Sequence, residues 1–499
     1  MSSYIPPVSK SIGWISTIQR SKSQMLDLNR QLGTGKVAET YGGLGIDRVV
    51  SISMRARISS IDSYLHTAEM MGTRLQIATS VLDRLDAVVG DARSTTLIPG
   101  YDLNGGNKSS AQTIARSYLD EFVSQMNTEV AGRYLFGGQS TDTKPVETIA
   151  HILDGDGARD GFRQVSLERR LADLGADGRG RLGSSVAAST VSFAEDGAHP
   201  FGFKLAGINA IGSSVAVTAP SGSPAAGDIS FTAVPAAGEQ VSVTLALPDG
   251  TETVISLTAT TDDPPAKGQF LIGADTDATA ANFQAAFDGA LQTAAAVDLS
   301  AASAVRAAYD FFAIDDANPP LRVDGPPFET ATAQVAGTPA DTVFWYVGDG
   351  ASGDARATAR ARVDEQINVE YGMRANEPAF MNVIANLAAF TVETFSTGDP
   401  NAEARHAALA KRTSKAFSEG SGVEQVRNVS AQIAAAAATV DATRERLTME
   451  RGVAEGVVAD IETADTEEVA VKLLQVQNRL QASYQTTAMI AQMSIMDYL

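Results

Sequence analysis

The chain has 499 residues, 44% of them hydrophobic but only 6% aromatic, which predicts about three domains with aliphatic, alanine-rich cores. It contains no cysteine, and that excludes disulfide frameworks, thiolate metal sites and a cysteine nucleophile. A net charge of −20, from 39 basic and 59 acidic side chains, excludes the basic footprint of a nucleic-acid binder and predicts repulsion from anionic membranes.

The opening segment 1–31 holds neither an apolar core of signal-peptide length nor a small-residue cleavage site. No run approaches the roughly 18 apolar residues of a membrane span, so no membrane insertion is expected. Export, if it occurs, has to read an uncleaved N-terminus. After Pro6-Pro7, apolar side chains fall on heptad positions: Trp14, Ser21 and Leu28 form one row, and Ile18, Met25 and Leu32 the other. Gly33-Thr34-Gly35 ends this helix, and "YGGLGID" (41–47) is a glycine-rich connector. A second helix is predicted from Val49 to Arg93, with Ile58, Ile61, Leu65, Ala68, Leu75, Leu82 and Val89 on one face. A third runs from Ala111 to Val130, with Ile114, Tyr118, Phe122, Met126 and Val130 at i, i+4 spacing.

From about 140 to 345 the composition shifts to Gly, Ala, Thr, Asp and Pro. "VSVTLALPDGTETVISLTA" (241–259) predicts a hairpin: Val241, Val243, Leu245 and Leu247 alternate with small or polar residues, and Pro248-Asp249-Gly250 turns the chain. "GDISFTAV" (227–234) and "QFLIGA" (269–274) predict further strands, and 279–291 and 300–312 two helices. Together these predict an α+β unit at 212–315, inserted between helical segments. Helix returns at about Asp354. Ile433, Val440 and Leu447 recur every seven residues, and Leu473, Val476, Leu480 and Ile490 line one face near the C-terminus, with Met489, Met493 and Met496 beside it. Such stripes are the ordinary mark of core packing; at both ends of so long a chain they point to pairing between subunits. Residues 1–35 carry four basic side chains and one acidic, and 460–499 two basic and six acidic, which favours the two ends lying side by side.

Catalytic signals are absent from this reading. His66, His151, His199 and His406 fall in no H-E-x-x-H or paired-ligand spacing. Asp154, Asp156 and Asp160 have calcium-loop-like spacing, but Val165 stands where the closing Glu is needed, so a polar turn is expected. "YGGLG" and "LFGGQ" lack the Lys and the glycine order of a phosphate cradle. No enzyme, cofactor or metal site is expected.

"GRYLFGGQSTDTKPV" (132–146) resembles the segment that closes the N-terminal helices in the bacterial flagellin superfamily, in the version carried by hook–filament junction (hook-associated) proteins; Gly132, Arg133, Tyr134, Leu135, Phe136, Gly137, Gly138 and Pro145 carry the likeness. "RQLGTGK" (30–36) is similar to that superfamily's Leu-Ser-Thr-Gly-Lys element, with Gly33 for Ser, and "LQASYQTTAMIAQMSIMDYL" (480–499) to its C-terminal end. The likeness covers 10–140 and 355–499. It departs where "AETYGGLGID" offers only Asp47 in place of the usual Asp-Asp pair, and in the large insert. It implies a mainly α fold: a rod of long coiled-coil N- and C-terminal helices with an inserted α+β outer domain. The expected divisions are 1–48 and 461–499 (inner coiled-coil segments), 49–140 and 354–460 (rod helices), 141–211 (irregular or β outer region), 212–315 (insert) and 316–353 (return connector).

The resemblance also implies an extracellular flagellar subunit, passed unfolded through the type III export channel with a chaperone, and packed against itself, flagellin and hook-associated proteins. The expected assembly residues are Ile18, Met25, Leu28, Leu32, Leu473, Val476, Leu480 and Ile490. The glycines of 132–138 are expected to turn the chain off the rod, with Tyr134 and Phe136 stapling that exit. The junction protein is the favoured reading, a self-polymerising filament flagellin the second, and an adhesin-like role for the 212–315 insert the third.

Overall fold

A computed structural model describes residues 8–98, 101–104, 107–418 and 424–496, with side chains over 13–98, 101–103, 107–418 and 424–489. Among these, apolar spacing of three and four residues gives helices: α1 Val8–Thr34, α2 Arg48–Thr96, α3 Ser110–Met126, α4 Ile149–Asp154, α5 Phe162–Leu174, α6 Thr276–Ala294, α7 Ser300–Phe312, α8 Pro378–Val392, α9 Ala402–Ala416, α10 Val426–Glu462 and α11 Thr466–Met496. Eight longer strands lie between α5 and α6: β1 Leu182–Ala187, β2 Thr190–Glu195, β3 Lys204–Ile211, β4 Val215–Ser221, β5 Ala226–Phe231, β6 Gln240–Ala246, β7 Glu252–Thr260 and β8 Gln269–Leu271. No described helix is long and apolar enough to cross a membrane. The chain divides into two compact units.

One unit is built from the segments up to Gly72, Arg362–Asn368 and from Ala438 onward. It contains α1, the first half of α2, the end of α10 and α11. Ile61 and Ala68 of α2 and Val440, Leu447, Ala454 and Val458 of α10 are buried, as their spacing predicts. Ion pairs join the two helices at Arg55–Glu462 (2.6 Å), Arg57–Glu450 (2.8 Å) and Asp62–Arg451 (2.8 Å).

The other unit comprises Thr73–Ala361 and Val369–Ala437. Its centre is α8, "PAFMNVIANLAAFTV", buried at every position except Pro378 and Met381. A helix buried on all sides shows no amphipathic period, so only depth in a core explains it. Pro378 suits its first turn, where the missing N–H costs nothing. At its other end Lys108 Nζ donates to the carbonyls of Thr391 (2.6 Å), Val392 (2.8 Å) and Glu393 (2.7 Å), which satisfies three orphan acceptors. α3 opens with a capping box between Ser109 and Gln112. Its buried face is Ala111, Ala115, Leu119, Phe122, Val123 and Met126. The expected stripe is therefore rotated: Ile114 is exposed, and Val130 lies past the helix end in a short strand.

The strands form two antiparallel-rich sheets, ordered β8-β7-β6-β3 and β1-β2-β5-β4. The predicted hairpin is present: Val241 faces Leu257 and Val243 faces Ile255 across β6–β7. Asp249 Oδ1 accepts from Thr251 N (3.0 Å) and Thr251 Oγ1 (2.6 Å), and Gly250 takes φ +79°. Val241, Val243 and Leu245 point into a core closed by Phe283, Phe287 and Leu291 of α6, with Phe193 of β2 4.7 Å from Phe287 between ring centroids.

Four of the expected divisions change. Residues 182–211 supply β1, β2 and β3 to the core that holds the predicted insert, with Val241 paired to Ala210, so the α+β unit does not start at 212. Cross-strand pairing joins residues distant in sequence, and local composition does not reveal it. Within 141–211, α4 and α5 are helices. Residues 316–353 are partly core: Trp345 is fully buried, and its Nε1 donates to Phe312 O at 2.9 Å. Helix returns at Pro378 rather than 354; short strands at 360–362 and 368–370 come first.

Candidate assembly interface

α1 and α11 meet along an apolar seam. Leu28, Ala464, Val469, Val476 and Leu480 are buried together, with Ile18, Met25, Val37 and Leu473 packed against them. On α11 the positions 469, 473, 476 and 480 step by four, three and four, the spacing of a coiled-coil seam. α1 runs into a junction with the start of α11, so the helices lie antiparallel. At that junction Lys36 bridges Thr463, Val37 N donates to Glu462 O (2.8 Å), and Ala464 N donates to Gly35 O (2.9 Å). Gln31 Nε2 reaches Val37 O at 3.1 Å. Gly35, at φ +68°, ends α1 through its N–H on Gln31 O (2.8 Å). Gly33 has open space around its Cα, so nothing here requires a glycine at that position.

Glu462 locks the junction from the side. Its carboxylate accepts from Ser51 Oγ (2.6 Å), Arg55 Nε (2.8 Å) and Arg55 Nη2 (2.6 Å). The hydrogen bonds from Arg55 and then Ser51 hold its pKa down at about 2.

The expected seam residues thus divide. Ile18, Met25, Leu28, Leu473, Val476 and Leu480 come together within one chain. Leu32 does not join them and is 41% exposed. The side chain of Ile490, with those of Met493 and Met496, lies outside the described residues. Val37, Ala464 and Val469 complete the seam; the four-three-four step extends back from Leu473 to Val469 and is the signal that finds it. Among the described residues no ion pair joins α1 to α11. Arg30 pairs with Asp27 (2.9 Å) and Lys472 with Glu468 (2.7 Å), each within its own helix, so the opposite charges of the two ends add only a diffuse attraction. Further apolar side chains of these helices are exposed: Leu26 (59% exposed) on α1, and Val471, Leu474 and Tyr484 on α11.

The segment 132–138 forms a tight double turn. Glu129–Val130 pairs with Arg133–Tyr134 around Ala131 and Gly132, both at positive φ. Phe136 is fully buried edge-on to Phe380, with centroids 5.4 Å apart. Phe136 O then accepts from Ala375 N (3.0 Å), and Gly138 N donates to Met373 O (2.9 Å). A Cβ on Gly137 would stand 2.3 Å from Ser140 O, and one on Gly138 2.7 Å from Asp349 Cβ, so both glycines are required by close approach. Phe136 is the staple; Tyr134 is half-buried and contributes its backbone, and Arg133 is exposed.

The remaining candidates have structural partners. Asp154 pairs with Arg163, Asp156 with Arg159 and Asp160 with Arg322. His406 Nε2 contacts Ser109 Oγ at 2.9 Å, and burial pushes its pKa down. Among the described residues no cluster of His, Asp and Glu is arranged to hold a metal ion.

No curated protein matches the chain. The family model described as the bacterial flagellin N-terminal helical region matches residues 10–141, a span that takes in α1, α2, α3 and the double turn. Residues 10–141 are thus similar to a bacterial flagellin N-terminal helical region, and that similarity supports a structural flagellar subunit.

Proposed function

We propose that this protein is the flagellar subunit that joins hook to filament. The observation that carries an assembly role is the set of exposed apolar side chains on the terminal helices. Pairing of α1 with α11 uses Ile18, Met25, Leu28, Leu473, Val476 and Leu480, yet leaves Leu26, Leu32, Val471, Leu474 and Tyr484 uncovered. Exposed apolar side chains gathered on one pair of helices mark a contact surface, and helices of like pattern from neighbouring subunits match them in chemistry. The subunit acts outside the cell, packed against its own copies, flagellin and hook-associated proteins, after type III export with a chaperone. It performs no catalysis.

The junction role rests on the likeness of Gly132–Gly138 to hook-associated proteins. A strain lacking the protein is expected to shed flagellin into the medium instead of building filaments, and the purified protein to form no long filaments by electron microscopy. Long filaments of this protein alone would establish the second reading, filament flagellin.

A further inference from the structure

Beside the double turn lies a cavity of about 320 Å³ whose lining includes Arg74, Arg133, Arg360, Tyr371, Gln139 and Thr141, with no acidic side chain in the lining. In a chain with 59 acidic and 39 basic side chains, three arginines around one hollow reverse the general balance. Their carboxylate supply is thin. Arg360 pairs with Glu370 at 2.9 Å, on the exposed side. Arg74, on α2, donates Nη2 to Tyr134 O (3.3 Å) and lies 5.9 Å from the Tyr371 ring centroid; no carboxylate pairs with it among the described residues. Its Nε is buried and without a partner. Burial pushes Arg74 below the ordinary guanidinium value; the nearby Tyr371 opposes this, and the Arg133 charge adds to it. A half-buried cation, pressed by a second one and lacking its own acid, is stabilised by an incoming oxyanion, and a guanidinium fork suits a carboxylate best.

We propose that this cavity binds an oxyanion of the carboxylate type. Two sources carry that chemistry: an exposed Asp or Glu of a neighbouring copy, and a free small polyanion. The neighbouring-copy source rests on the assembly reading above; the site itself does not.

Calorimetric titration of the full-length protein with citrate at fixed ionic strength tests the site without reference to any flagellum. Saturable binding is expected, weakened about tenfold or more by Arg74→Gln and by Arg133→Gln, and unchanged by Arg306→Gln, which lies outside the cavity. Arg133 is exposed, so its variant keeps the test valid should Arg74→Gln fail to fold. Absence of saturable binding, or an affinity untouched by Arg133→Gln, overturns the proposal. Incorporation in cells then separates the sources. If a neighbouring copy supplies the carboxylate, Arg133→Gln lowers incorporation into the flagellum and citrate competes with self-association. If the ligand is free, the variant loses citrate binding and assembles normally.

Discussion

Glu462 joins three parts of the terminal unit. Its side chain takes hydrogen bonds from Ser51 and Arg55, and its backbone carbonyl takes the N–H of Val37. With its pKa lowered from 4.5 to about 2, the folded chain binds a proton on Glu462 later than the unfolded chain does as pH falls. The stability it contributes is therefore complete above pH 4.5 and drains away between 4.5 and 2. Glu462→Gln should be less stable than wild type at neutral pH and should show a flatter loss of melting temperature across that window. An acid limb as steep in Glu462→Gln as in wild type would mean that other carboxylates govern it. This residue was legible only as one of several acids near the C-terminus, because its partners Ser51 and Arg55 lie at the opposite end of the sequence.

For the helices, local pattern was a good guide where one face meets one partner. α1, α2, α10 and α11 follow from heptad and i, i+4 spacing, and the β6–β7 hairpin from alternation and a Pro-Asp-Gly turn. It failed for α8, whose uniform burial erases any period, and for β1–β3, whose place depends on strands tens of residues away. In the seam, Leu473, Val476 and Leu480 were readable on α11, whereas Leu32 follows the heptad of α1 but falls beyond the reach of α11. Two substitutions on α11 separate its buried seam from its exposed apolar side chains. Leu480→Asp places a carboxylate in the buried seam and is expected to cost about 3–4 kcal/mol of terminal-unit stability. Leu474 is exposed, so the effect of Leu474→Asp on stability should stay within about 0.5 kcal/mol, while incorporation into the flagellum falls sharply. Chemical denaturation of both variants, with counts of incorporated subunits, gives the comparison. Normal incorporation of Leu474→Asp would show that this exposed side chain has no part in assembly.

Across the whole molecule, each unit is assembled from segments remote in sequence. Truncation after Ala437 removes Ala464, Val469, Leu473, Val476 and Leu480, every α11-side partner of Leu28 in the seam. The unit around α8 keeps its own core and should still melt cooperatively. Residues 13–34 should then exchange their amide hydrogens as an unpartnered helix does. Strong protection of those amides in the truncated chain would mean that α1 is held by something other than α11. The bridge between Lys36 and Thr463 also sets an order in time. During synthesis, or on emergence from any channel that passes the chain N-terminus first, α1 leads and its partner comes last. The earlier helix has to wait, apolar face open, until α11 has followed. Whatever meets the protein in that interval meets α1 unpaired, and the Gly35–Val37 junction can close only once residues 462–464 have followed.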